Sequence, residues 1–70
     1  MPLHIVLDSS GDTRRTFAPL DPQQVARAKE HFEDLARRGY QAFDKNGGQR
    51  LSHFDAAVEE TVFVPHLKGG

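Results

Sequence analysis

The chain has 70 residues, 37% hydrophobic and 27% charged, enough for one small domain whose core must use nearly every large apolar side chain. It contains no cysteine, which excludes disulfides, thiolate zinc sites, iron–sulfur clusters and a cysteine nucleophile. Nine basic and ten acidic residues leave a net charge of −1, the wrong balance for a nucleic-acid binder that relies on a basic face.

No apolar run is long enough to span a bilayer, and the N-terminus lacks the basic-then-apolar order of a signal peptide. The expected compartment is the cytoplasm, with neither membrane nor nucleic acid as partner. Over the first seven residues, Leu3, Ile5 and Leu7 alternate with His4 and Val6, the period-two pattern of a half-buried strand. Asp8 to Asp12 is a turn cluster. Thr13 to Ala18 is β-prone and reads as a returning strand that ends around Phe17, completing an N-terminal hairpin.

A helix is expected over residues 22 to 38. Asp21 is a good N-cap, because its carboxylate can accept the free amides of the first turn. Pro22 occupies the first helical position, where a missing N–H costs nothing. Gln24 completes a variant capping box, and Leu20 and Val25 have the spacing of a hydrophobic staple. Val25, Ala28, Phe32, Leu35 and Ala36 form the apolar stripe. Glu33 and Arg37 are an i,i+4 pair in the favourable order, and Gly39 is the natural stop.

Tyr40 to Phe43, the turn sequence Asp44 to Gly48, and Gln49 to Phe54 read as a second hairpin. Asp55 to Glu60 is a loop or a single helical turn. Thr61-Val62-Phe63-Val64 is the most strand-prone run, and its continuous apolar character suggests a central strand covered on both faces. Pro65 ends it, and residues 66 to 70 form a flexible tail. The fold class is α+β: two strands, one helix and three strands, with the helix packed on a mixed sheet. The first and last strands, being the most apolar, should lie together in its middle. Val62 and Val64 are expected to pack against Phe32 and Leu35.

This order, with a last strand running through Pro65 into Gly69-Gly70, resembles the β-grasp ubiquitin-like superfamily. Glu59 to Gly70 is similar at once to two kinds of ending. The acidic residues, apolar strand, Pro and Gly-Gly are similar to the small subunit of molybdopterin synthase and related sulfur carriers. Lys68 directly before Gly-Gly is similar to ubiquitin. Bacterial ubiquitin-like proteins encoded beside activating, conjugating and deconjugating enzymes share this compact plan. The hairpin from Tyr40 to Phe54 departs from both ubiquitin and the sulfur carriers.

The resemblance implies a protein modifier rather than an enzyme, needing no cofactor of its own. Its partners would be an ATP-dependent activating enzyme, a conjugating enzyme, a deconjugating protease and target proteins. Gly70 would carry the reactive carbonyl, with Gly69 beside it, and Lys68 and Leu67 would contact the activating enzyme. Glycines suit that role because, lacking Cβ, they let the backbone approach a nucleotide closely. A sulfur carrier that forms a C-terminal thiocarboxylate for cofactor biosynthesis shares every step up to the acyl-adenylate. A plain interaction module would leave the glycines unused.

One further alternative is a degenerate EF-hand fragment. Asp44, Asn46, Ser52 and Asp55 fall at ligand positions 1, 3, 9 and 12 of a calcium loop, but Gly48 and Gln49 stand where a ligand and the turn glycine belong. The hairpin turn uses the same glycines more naturally, and no metal site is expected. His4, His31, His53 and His66 share no metal spacing and read as solvated or half-buried. Arg14-Arg15 and Arg37-Arg38 read as solvated faces.

Overall fold

The two most apolar strands pair at the centre of one sheet. In the computed structural model, which describes residues 1–8 and 11–65, β1 (Leu3–Asp8) runs parallel to β5 (Glu60–Val64). The hairpin partner β2 (Gly11–Thr16) lies outside β1, and β3 (Gln41–Asp44) and β4 (Arg50–Leu51) extend the other side, giving the order β2-β1-β5-β3-β4. Every pairing except β1 with β5 is antiparallel. Helix α1 (Pro22–Arg37) packs on one face. The α+β class, the element order and the central position of the first and last strands are as the sequence indicates.

Both ends of α1 follow from local chemistry. Asp21 Oδ1 accepts the N–H of Gln23 at 3.0 Å and of Gln24 at 3.4 Å. At the other end Gly39 takes φ +94°, a conformation that costs glycine little. Its N–H donates to the Ala36 carbonyl at 3.1 Å and that of Tyr40 to the Leu35 carbonyl at 3.0 Å, the paired bonds of a Schellman stop. Tyr40 then folds against the core that contains Leu35.

The staple and the expected ion pair do not form. Leu20 is 95% exposed, because the Asp21 N–H closes a turn onto the Ala18 carbonyl at 3.1 Å. The Gln24 side chain sets the entry angle instead, accepting the Ala18 N–H at 2.8 Å and donating to Asp21 Oδ2 at 3.2 Å. Arg37 pairs with Asp34 at 3.8 Å, not with Glu33, and Arg38 reaches the same carboxylate at 3.2 Å. One acidic residue lies within reach of both arginines one turn on.

The core corrects the expected facing of the strands. The parallel register sets Val6 beside Phe63 and Ile5 beside Val62. Val6, Ala42 and Phe63 join Phe32 and Leu35 in the buried cluster, with Tyr40, Leu51 and Phe54 packed against it. Phe63 and Thr61 therefore point at the helix, and Val62 and Val64 lie half-buried on the opposite face. The larger side chain takes the interior, and strand alternation carries its neighbours outward. Likewise His4 and Val6, not Leu3 and Leu7, turn inward on β1. β5 is central but is covered by the helix on one face only.

Edge-to-face rings bind this interior together. Phe32 and Phe63 stand 5.5 Å apart at 73°, and His4 meets Phe63 and Phe17 at 5.2 Å each. Such pairs contribute about 0.5–1.5 kcal/mol each beyond area burial. Phe54 leaves the shortened β4 to join them, 6.1 Å from Phe32 and 5.8 Å from Phe17. The segment from Asp55 onward is a turn rather than a helical turn, held by Asp55 Oδ1, which accepts the Ala57 N–H at 2.9 Å.

Candidate functional site

The expected activation residues Gly70 and Gly69, and the expected contact residues Lys68 and Leu67, lie outside the described residues, as does the tail assigned to residues 66 to 70. The strand that leads to them is described in full. β5 ends at Val64, opposite Gln41 of β3, and Pro65 follows. Because β5 is the middle strand, the chain leaves the sheet at its centre, flanked by β1 and β3.

The helix-free face beneath this exit has a definite order. One cross-strand row runs Arg14, Ile5, Val62, Phe43 and Arg50. Its three apolar members are neighbours on adjacent strands, and an arginine stands at each sheet edge. Ile5 is buried, and Val62 and Phe43 are half-buried. At the start of β5, Lys45 ties the second hairpin to the strand. Its N–H donates to the Glu60 carbonyl at 3.0 Å, and Nζ lies 3.8 Å from Glu60 Oε2.

The segment compared with a calcium loop is a hairpin between β3 and β4. Asp44 Oδ1 accepts the N–H of Asn46 at 2.9 Å and of Gly47 at 3.3 Å, so this carboxylate builds its own turn. The Gly48 N–H donates to the Asp44 carbonyl at 2.7 Å, with Gly48 at φ +71°. Asp55 is similarly engaged with the Ala57 N–H. Among the described residues, no three His, Asp or Glu side chains cluster so as to hold a metal ion, and no helix is long and apolar enough to cross a membrane.

The fold also assembles a group that the sequence does not reveal. His4 of β1 and His31 of α1 open on one cleft, together with Arg15, Phe17, Arg27 and Ala28. On the helix, Arg27, Ala28 and His31 lie on one side by their i, i+1, i+4 spacing. Arg15 sits opposite His4 in the β1–β2 register and therefore shares its helix-side face. His4 is 3% exposed, and burial, reinforced by His31, pushes its pKa down to about 4. His31 is also lowered, first by burial, then by Arg15 and Arg38 against the opposing pull of Asp34. Burial thus biases both imidazoles toward the neutral form. His53 is exposed, and His66 lies outside the described residues. Helical and strand periodicities each mark one wall of such a cleft, but no local pattern joins them. Compared with known proteins, the chain matches no family model, no curated protein and no solved structure.

Proposed function

We propose that the chain is a β-grasp protein modifier of the ubiquitin-like kind, with the carboxylate of Gly70 as its reactive group. One observation carries the reading. The central strand β5, parallel to β1 and roofed by the single described helix, ends at Val64 and leads through Pro65 and His66 into Leu67-Lys68-Gly69-Gly70. That arrangement supports presentation of an extended segment away from a stable platform. Pro65 favours an extended Val64 before it.

The chemistry belongs to a partner, for which this chain is the substrate. A carboxylate is a poor electrophile. Its oxygen attacks the α-phosphorus of ATP and expels pyrophosphate, which leaves an acyl-adenylate. A cysteine thiolate of the activating enzyme then attacks the carbonyl carbon, AMP departs, and the resulting thioester can pass to an amine. Lys68 and Leu67 would guide the segment, and Gly69 would let the backbone lie close to the nucleotide.

The test is ATP–pyrophosphate exchange and thioester formation with an adenylating enzyme. The intact chain should support both reactions. Chains lacking Gly70, or carrying Gly69→Trp, should support neither while melting at the same temperature, because these residues follow the last core strand. A mass gain of one oxygen-to-sulfur exchange at Gly70 would mark the sulfur-carrier variant of the same activation. Equal biological activity of the intact and Gly70-deleted chains would leave an interaction module as the better reading.

A further inference from the structure

We propose that the cleft between β2 and α1 binds a small oxyanion with the chemistry of phosphate or a phosphomonoester. This inference is independent of the C-terminal reading, since every residue it uses lies before β3. The cleft has a volume of about 220 Å³ and is lined by His4, Arg15, Phe17, Gln24, Arg27 and His31 among others, with no acidic side chain on its wall. It is smaller than the roughly 300–1,000 Å³ usual for drug-sized ligands, so a compact group fits it best.

The charge on this wall is unbalanced. Asp12 is taken by Arg14, and Asp34 by Arg37 and Arg38. Among the described residues Arg15 and Arg27 have no ion-pair partner, although both face the same space, one from the sheet edge and one from the helix. Two guanidinium groups that converge on one cavity are suited to an oxyanion, because each offers a planar fork of N–H donors that matches its oxygens. Gln24 does not compete for it, since its amide is held by Ala18 and Asp21. Phe17 and Ala28 supply an apolar wall, where water competes less well for the ligand.

His31 completes the site. It faces Arg15 and Arg38, which disfavour its protonation, and Asp34, which favours it; His4 beside it is neutral. An anion between Arg15 and Arg27 reverses the local field, so binding should raise the His31 pKa. By the reciprocity of linked equilibria, acidification should then tighten binding.

The experiment is an NMR titration at constant ionic strength of the full chain with inorganic phosphate, with phenyl phosphate and with sodium chloride. We expect saturable shifts at Arg15, Arg27, Ala28 and His31 with phosphate but not chloride, and a higher His31 pKa in its presence. Arg15→Gln and Arg27→Gln should each weaken binding about tenfold, as expected for loss of a charge-assisted hydrogen bond at an open site. Lys29→Gln, on the same helix but outside the cleft, should leave it unchanged. Binding of phosphate alone identifies a free ion as the ligand; equal or tighter binding of phenyl phosphate identifies an ester whose organic part rests on Phe17. Shifts that do not saturate, that chloride reproduces, or that survive the double substitution in a chain with unchanged melting temperature would overturn the proposal.

Discussion

His4 shows how much one residue can set the behaviour of a small domain. Its ring lies edge-on to Phe17 and Phe63 in the interior, where the neutral imidazole packs as an aromatic and the charged form is disfavoured. Its pKa falls from 6.5 to about 4 on folding, so between these values the unfolded chain binds more protons than the folded one. The contribution of His4 to stability is therefore fully present above pH 6.5 and is lost as the pH falls toward 4, by up to about 3 kcal/mol. The lowered pKa of His31 acts in the same direction. Melting temperatures measured from pH 7 to pH 4 should fall, and His4→Phe should flatten the curve. An equally steep fall in that variant would assign the acid sensitivity to other groups.

At the level of the element, α1 is delimited by its caps more than by its stripe. Asp21 serves two first-turn amides and the Gln24 side chain, which in turn holds the Ala18 N–H. Asp21→Ala removes the acceptor and should cost about 0.5–2 kcal/mol. Leu20→Ser, one residue earlier but 95% exposed, should change stability by less than about 0.5 kcal/mol. Urea midpoints at unchanged m-value distinguish the two. A loss at Leu20 as large as that at Asp21 would mean that the staple does form in solution. The N-cap, the proline at the first position and the glycine stop were legible because each acts within a few residues of its cause.

For the whole molecule, stability rests on a single interior. A domain of this length is expected to be stable by roughly 4–10 kcal/mol, and Phe32→Ala should remove about 3–5 kcal/mol of that, leaving much of the population unfolded near physiological temperature. Phe63, 1% exposed, should be as costly to truncate, whereas Val62→Ala, on the helix-free face, should cost distinctly less. Denaturation of the three variants ranks the two faces of β5 directly. A larger loss at Val62 than at Phe63 would reverse the facing of the strand.

By itself the sequence determined what depends on near neighbours or on gross composition. The element order, the ends of α1, the second hairpin and the central pairing of the first and last strands follow from capping chemistry, turn residues and the concentration of apolar side chains. It did not determine which face of β1 and β5 would turn inward. Both alternating sets on these strands carry apolar residues, and period two distinguishes faces only when one of them is polar. Packing against Phe32 and Leu35 broke that tie in favour of Phe63 and Val6. Nor did any local pattern bring His4 and Arg15 opposite Arg27 and His31. The hairpin and the helix meet only because burying the apolar stripe of α1 presses it onto the sheet, and that closure leaves Arg15 and Arg27, without an ion-pair partner among the described residues, facing one cleft.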